Sequence, residues 1–187
     1  MNFTDLNAHI IPNIDPQIND FSHSLEILKK ISSLGVETIV ATPNNLFVEN
    51  NSRSEIQDVI DQLNASLTEI GINNINLLLG MENNLDNHLP QLFTKKLALT
   101  INDTEYATIK FPFLGLPQKF PDTLNRLHLM GITPILMNIE NNSYIQKNPN
   151  QIRELIEENC LIQLSSVSLL GLSGILVKNL SAYMISN

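Results

Sequence analysis

Six short apolar segments alternate along the chain with segments of helical periodicity. Branched and aliphatic residues of the kind that favours β-strands dominate them. The first is a short apolar run that leads into the Asp-x-Asn-x-His of DLNAH, and the other five read VETIVA, INLLLGME, YATIKF, ITPILMNIE and CLIQLS. Strands that alternate with helices form parallel sheets, because each helix returns the chain to the edge where the next strand begins. The pattern therefore predicts an α/β fold, a sheet or barrel of β-α units, with functional groups at the carboxyl ends of the strands.

The helical segments have recognisable ends. Apolar residues at helical spacing predict a helix from Asp20 to Leu34, which stops at a glycine. A Ser-x-x-Glu capping box at Ser52 and Glu55 predicts the start of a second helix. Further helices are predicted from Pro121 to Met130 and, at the end of the chain, from Leu169 to Met184.

Composition excludes several functional classes. A length of 187 residues with 43% hydrophobic content suits one globular domain, 1–187. The formal net charge of -8 and the lack of a Lys/Arg cluster argue against a nucleic-acid partner. No apolar run approaches the roughly 20 residues that span a bilayer, and no secretory signal is present, so we expect no membrane span and a cytoplasmic location. The single Cys160 is not a phosphatase nucleophile, because the arginine required six positions later is Ser166.

Polar residues follow each of the first three predicted strands. The first strand leads into Asp5, Asn7 and His9, the second into Asn44, and the third into Glu82. Imidazoles and carboxylates at neighbouring strand ends are typical of a metal site. Here amides stand at several of the positions where such ligands are expected. The sequence thus raises the question whether this site still carries out chemistry.

These motifs, in this order, resemble one family over essentially the whole chain. The matching words are DLNAHIIPNID, GVETIVATPNN, LLLGMENN, YATIKFP, GITPILMNIENN and IEENCLIQLSS. The chain resembles the polymerase-and-histidinol-phosphatase (PHP) class of bacterial protein tyrosine phosphatases, which act in capsule and exopolysaccharide synthesis. The resemblance implies a distorted, TIM-like β/α barrel whose strand ends hold three metal ions, usually manganese. Those ions activate a water for attack on phosphotyrosine.

Several ligand positions implied by the resemblance carry other residues. Asn7 stands where the family has the first histidine of Asp-x-His-x-His, and Asn44 stands at a second histidine position. Lys110 replaces a glutamate before Phe-Pro, and Asn138 replaces the histidine of His-Pro-Glu-Arg. The family's final Ser-Asp-x-His strand is not reached before Asn187.

Two ligands implied by the resemblance remain, His9 and Glu82, with Asp5 and Glu140 as supporting residues. We therefore expect a degenerate, C-terminally shortened member with about six parallel strands in an incomplete barrel. Its metal cluster would be largely lost, with little or no hydrolysis, no cofactor, and a binding or regulatory role. In that case His9 would hydrogen-bond to neighbouring amides, and Lys110 would pair with Glu82 or Asp5 where a cation would otherwise lie.

Two alternatives stay open. The chain could be an active metal-dependent tyrosine phosphatase with a rebuilt one-metal site of His9, Glu82 and Glu140, holding manganese or another divalent ion. It could also be a structural assembly protein of a polysaccharide-synthesis locus. An open barrel edge would favour self-association, and the family context suggests a protein partner in polysaccharide synthesis.

Overall fold

The computed structural model describes residues 3–45 and 53–186. All paired strands are parallel. The strands are β1 (Phe3–Ala8), β2 (Val36–Ala41), β3 (Asn76–Leu79), β4 (Asn83–Asn84), β5 (Tyr106–Lys110), β6 (Thr133–Met137) and β7 (Leu161–Gln163). The helices are α1 (Phe21–Ser33), α2 (Arg53–Glu69), α3 (Leu89–Thr94), α4 (Phe120–Leu129), α5 (Ser143–Lys147), α6 (Gln151–Glu157), α7 (Ser166–Leu169) and α8 (Ile175–Ser186). Two 3-10 helices cover Ile101–Asp103 and Ile139–Asn141.

The strands form two sheets. One has the order β1-β2-β3 and the other the order β4-β5-β6-β7. All six predicted strands are present, and the prediction of a parallel α/β fold is confirmed. The two-residue strand β4 was not predicted, because two asparagines carry no strand signal. Closure into a barrel and a single PHP-like domain stay predictions.

The chain divides into two compact units. Unit one comprises Met1–Glu82 and Lys96–Thr104, and unit two comprises Asn83–Lys95 and Glu105–Asn187.

The core of unit one lies between its sheet and two amphipathic helices. Asp20 caps the N-terminus of helix α1, and its carboxylate accepts a hydrogen bond from the His23 backbone N–H. Helix α2 buries Ile56, Ile60, Leu63 and Leu67, a spacing of three or four residues that keeps them on one face. Ser52 of the predicted capping box lies outside the described residues.

Gly80 allows a close approach in unit one. A Cβ atom at this position would lie 2.6 Å from Val40 Cγ1 and 3.2 Å from Thr42 Cγ2. The Gly80 backbone N–H donates to the Ala41 carbonyl at 2.9 Å. A side chain here would therefore push β3 away from the end of β2, where the candidate site lies.

Unit two packs its helices against the second sheet. Phe120 opens α4, one residue before the predicted start, and its ring meets Phe111 edge-on at a centroid distance of 5.5 Å. The predicted helix from Leu169 to Met184 is wrong as one element. Leu169 is the last residue of α7, and the helical part of the rest of the segment belongs to α8. The two helices are separated by a turn in which Gly171 (φ +83°) and Gly174 (φ +98°) adopt left-handed backbone conformations.

Within residues 3–45 and 53–186, no helix is both long and apolar enough to cross a bilayer.

Candidate functional site

His9 lies just beyond the end of β1, and a tight turn brings Asp15 back to it. Asn13 adopts a left-handed conformation (φ 64°), and the Asp15 backbone N–H donates to the Ile11 carbonyl at 2.9 Å. Asp15 Oδ1 then lies 3.2 Å from His9 Nδ1, and its Oδ2 accepts from the Ile11 N–H at 2.7 Å. Asp15 is only 1% exposed, so both carboxylate oxygens are satisfied inside the protein.

Glu82 meets the other side of the same imidazole. It follows β3, and its backbone is held by hydrogen bonds to Pro43 and Asn45, both at 3.1 Å. Glu82 Oε2 lies 3.5 Å from His9 Nε2. Its other oxygen accepts a hydrogen bond from the Asn44 side-chain amide at 2.5 Å. The structure therefore brings His9, Asn44 and Glu82 together, as strand-end residues of one parallel sheet should be.

These two carboxylates raise the pKa of His9 to about 9. The hydrogen bond to Asp15 contributes most and the hydrogen bond to Glu82 next, while partial burial acts in the opposite direction. His9 is thus an imidazolium at neutral pH, between two buried carboxylates. The prediction that His9 bonds to neighbouring amides is wrong, because Asp15 and Glu82 supply its side-chain partners.

Asn7 and Asp5 make local hydrogen bonds. The Asn7 side-chain oxygen accepts from the hydroxyl of fully buried Thr42 at 2.7 Å, and the Thr42 backbone N–H donates to the Ala8 carbonyl at 2.9 Å. Asp5 Oδ1 accepts from the Asn7 backbone N–H at 2.9 Å. Asn7 therefore fastens the end of β1 to the residue that follows β2. The Asn7 side chain, which occupies an expected ligand position, is therefore engaged in a hydrogen bond between two strand ends.

The remaining sequence candidates belong to unit two. Lys110 is the half-buried last residue of β5, and its carbonyl accepts from the Leu85 N–H at 3.1 Å. Asn138 adopts a left-handed conformation (φ 59°), which asparagine tolerates better than most residues. Glu140 is fully buried, and its Oε1 accepts from the Ser165 N–H at 3.1 Å. The pairing of Lys110 with Glu82 or Asp5 stays a prediction.

The arrangement of the potential metal-binding side chains shows whether a metal cluster fits. Within residues 3–45 and 53–186 the structure contains no group of three or more His, Cys, Asp or Glu side chains arranged to hold a metal ion. The trinuclear cluster implied by the resemblance therefore does not fit these side chains. His9 Nε2 and Glu82 Oε2, 3.5 Å apart, have about the separation of two ligands that share one ion at about 2.1 Å. Asp15, behind the ring, would then orient the imidazole.

Sequence analysis missed Asp15. The available signal was the Pro12-Asn13 pair, a strong turn signal that reverses the chain after His9. A reversal at that point returns a residue a few positions later to the imidazole. Asp15 is the carboxylate that raises the pKa of His9 most.

A parallel α/β fold with imidazole and carboxylate groups at its strand ends defines a class of protein whose chemistry takes place at that edge of the sheet. Within this class, the chain belongs to the family described as capsular polysaccharide synthesis, CpsB/CapC, whose profile matches residues 3–187.

Individual relatives agree with this assignment. The chain is 32% identical over 180 residues to the tyrosine-protein phosphatase YwqE of Bacillus subtilis (strain 168), covering 96% of this chain and 69% of YwqE. It is 26% identical over 165 residues to the tyrosine-protein phosphatase CpsB of Streptococcus pneumoniae, covering 87% of this chain and 67% of CpsB.

The fold agrees as well. One solved structure, from a study of YwqE of Bacillus subtilis and CpsB of Streptococcus pneumoniae as unique metal-dependent tyrosine phosphatases, superposes with a TM-score of 0.89. The match has 30% sequence identity and covers 98% of this chain and 74% of the other. The match confirms the predicted family and fold. The expectation that no cofactor binds gains no support from these relatives, since they are metal-dependent.

Proposed function

We propose that this chain binds phosphotyrosine-bearing protein segments in capsular polysaccharide synthesis and hydrolyses them weakly or not at all. In this proposal it is a degenerate member of a phosphatase family that keeps the recognition surface of its relatives. The observation that carries the proposal is the ion-paired group of His9, Asp15 and Glu82. An internal cation there neutralises carboxylates that metal ions would otherwise neutralise.

The electrostatics of this group argue against a multi-ion cluster. Hydrolysis of a phosphate monoester requires strong neutralisation of the phosphoryl oxygens and an activated water. A protonated His9 cannot coordinate a metal ion until it loses its proton, and its raised pKa makes that loss unfavourable at neutral pH. Asn44 is committed to Glu82 and Asn7 to Thr42, so neither side chain adds an ionised ligand.

The same group suits binding of a phosphate. The His9 side chain is 27% exposed and carries positive charge at neutral pH, so a phosphoryl oxygen that displaces Glu82 from the Nε2–H can accept a hydrogen bond from the imidazolium. Asp15 holds the ring in position and maintains the charged form. Binding would be modest, because the neighbouring Glu82 repels the same anion.

A second candidate function is a one-metal tyrosine phosphatase, which the 3.5 Å distance from His9 Nε2 to Glu82 Oε2 favours. A divalent ion shared by these two atoms would polarise the phosphoryl group and lower the pKa of a bound water. Participation of Glu140 in such a site stays a prediction. A purely structural role in assembly also remains as an alternative.

The deciding experiment measures hydrolysis of a phosphotyrosine peptide with and without Mn²⁺, with YwqE assayed alongside as the positive control. We expect kcat/KM to lie orders of magnitude below that of YwqE and to be insensitive to Mn²⁺. Binding of the intact phosphopeptide should be measurable and should weaken in His9→Gln. Mn²⁺-dependent turnover comparable with YwqE that Glu82→Gln abolishes would establish the one-metal phosphatase instead.

A further inference from the structure

Helix α8 of unit two is apolar on its outer side as well as on its inner side. Its buried residues are Val177 and Ser181, and the helix packs against α5, α7 and the 3-10 helix Ile139–Asn141. Only one of its twelve residues, Lys178, is charged. A helix that is apolar all round is normally covered on all sides. The exposed side of α8 is therefore a surface that a partner would cover.

The exposed side of α8 follows helical spacing over its whole length. Its residues lie within about 120° of the helix circumference. This surface, here called the α8 face, consists of exposed Ile175, Leu176, Asn179, Ala182, Tyr183 and Ser186. Lys178 lies at its border, and its stem packs over Gly171, where a Cβ atom would lie 3.0 Å from Lys178 Cδ. The α8 face itself is uncharged.

The apolar area around the α8 face is of the size that a dimer needs. Five aliphatic side chains of α8 and the preceding segment are 66–75% exposed: Leu170, Leu172, Ile175, Leu176 and Ile185. At roughly 100 Å² of apolar area per aliphatic side chain, they expose on the order of 350 Å². A standard interface buries roughly 800 Å² per partner, of which about 60% is apolar. Val167 and Tyr183, which are 47% and 39% exposed, supply much of the difference.

The distribution of charge favours a second copy of this chain as the partner. The chain has a net charge of -8, yet its last carboxylate side chain is that of Glu158, and Lys178 is the only charged side chain that follows. Two copies therefore repel each other least when they meet through this region. A helix that binds a membrane surface usually carries several Lys or Arg residues beside its apolar face, and anionic lipids would repel this acidic chain.

We propose that two copies of the chain associate through their α8 faces, with the two helices antiparallel about a two-fold axis at Asn179. An antiparallel pair places the N-terminus of each helix beside the C-terminus of the other, which their dipoles favour. The spacing then sets large residues against small ones, with Leu176 facing Ala182 of the second copy and Leu172 facing Ser186.

Asn179 fixes the register of this pair. It lies midway between Ile175 and Tyr183, so the two-fold axis brings the two Asn179 side chains together. Each amide both donates and accepts, and two amides related by a two-fold axis satisfy each other. A polar residue of this kind within an apolar helix interface specifies one alignment of the helices.

The first test measures the mass of the full chain by sedimentation velocity between about 1 and 100 µM. We expect a reversible dimer with a Kd of micromolar order. Leu176→Glu should weaken dimerisation about 100-fold or more, because it places a carboxylate against Ala182 of the second copy. Leu176→Lys should also dissociate the dimer, which separates the effect of the α8 face from that of net charge.

The matched control is Leu129→Glu, at the end of α4. Leu129 is 80% exposed, so this variant loses similar apolar area and gains the same charge as Leu176→Glu, and it should remain a dimer. Circular dichroism of each variant checks that it is folded, as substitutions at exposed positions should be.

Cross-linking tests the register. Two copies of Asn179→Cys would face each other across the axis and should form a disulfide under mild oxidation. Ser186→Cys is the control, because the two residues at that position would lie about 21 Å apart along the helix axis. The native Cys160 is only 2% exposed, so it should not react.

Several results would overturn the inference. A monomer at every concentration would do so, and so would a dimer that Leu176→Glu leaves intact, which would place the interface elsewhere. Equal dissociation in Leu176→Glu and Leu129→Glu would indicate a general effect of charge. Equal cross-linking at positions 179 and 186 would contradict the antiparallel register. A monomer that binds neutral lipid vesicles and loses that binding in Leu176→Glu would assign the α8 face to membranes. None of these results depends on phosphate binding at His9, so the proposed function is tested separately.

Discussion

Asp15 Oδ1 lies 3.2 Å from His9 Nδ1, and the Glu82 carboxylate faces the opposite nitrogen of the same ring. This relationship fixes the orientation and the charge of the only histidine at the candidate site within the described residues. A carboxylate behind a histidine is also the arrangement that orients metal-binding imidazoles. In this protein the same arrangement forms an internal ion pair. We therefore expect the ion pair to affect both the stability of the protein and its affinity for metal ions.

The stability of the metal-free protein should fall with rising pH because of His9. Its pKa is raised in the folded state from 6.5 to about 9. The stabilisation is fully present below pH 6.5 and is lost as the pH rises through about 9. We expect the difference in unfolding free energy between wild type and His9→Gln to shrink by roughly 2 kcal/mol between pH 6 and pH 10, measured by urea denaturation with a chelator present.

Comparison with the variant is needed because Cys160 acts in the same direction at high pH. Burial, with a smaller effect of Glu158, raises the pKa of its thiol to about 12, so the folded state resists ionisation that the unfolded chain undergoes. That contribution cancels in the difference between wild type and His9→Gln.

An NMR titration adds a second check: Asp15→Asn should lower the pKa of His9 more than Glu82→Gln does. A difference that stays constant with pH would contradict the ion-paired group.

Asn142 should be among the most sensitive polar positions of unit two. It is fully buried, its side-chain oxygen accepts from the N–H groups of Tyr144 and Ile145, and its amide donates to the carbonyls of Pro112 and Gly115 at 2.7 Å each. Asn142→Ala loses all of these bonds, so we expect a loss of about 3 kcal/mol in urea denaturation.

Asn142→Asp separates the two functions of that side chain. Aspartate keeps the oxygen that caps α5 but cannot donate to the two carbonyls. The stability lost in this variant should therefore come mainly from weaker anchoring of the loop between β5 and α4. Hydrogen exchange at the Ser143 N–H, which donates to the Phe113 carbonyl at 2.9 Å, should report loosening of that loop. Asn148→Ala, an exposed control that loses one bond to Tyr144, should change stability by less than about 1 kcal/mol. Equal effects in Asn142→Ala and Asn148→Ala would refute this account.

Placing an imidazole at position 44 should increase metal affinity. The Asn44 amide contacts Glu82 at 2.5 Å, so a histidine there would add a third donor near His9 and Glu82. We expect Asn44→His to bind Mn²⁺ about ten-fold more tightly than wild type, equivalent to about 1.4 kcal/mol. Asn73→His, at an exposed position of unit one, is the matched control and should leave the affinity unchanged. Equal gains in both variants would indicate non-specific binding.

Much of this fold could be predicted from the sequence because its signals are local. Branched residues identify β2 and β5. Asp20 and Gly35 mark the two ends of α1, and the predicted limits of Asp20 and Leu34 each lie one residue outside the helix. What could not be predicted depends on pairing across the chain. Strand β4 exists only because its two asparagines pair with β5, and α5 begins where Asn142 caps it.

The candidate site shows the same division. Strand-end reasoning placed His9 and Glu82 near each other, and the structure brings them within 3.5 Å. It could not show that Asn7 would be engaged by Thr42, since that bond depends on the register of β1 against β2. It also could not give the charge of His9, which depends on the return of Asp15 through a turn. The role of these residues as metal ligands stays a prediction.

Calorimetric titration of the chelator-treated protein with Mn²⁺ at neutral pH tests the central claim most directly, with YwqE titrated in parallel. We predict at most one weakly bound ion per chain, with proton release as His9 gives up its proton, and weaker binding still in Glu82→Gln. Tight binding of several ions per chain, matching YwqE, would contradict the claim that an internal ion pair has taken the place of the metal cluster.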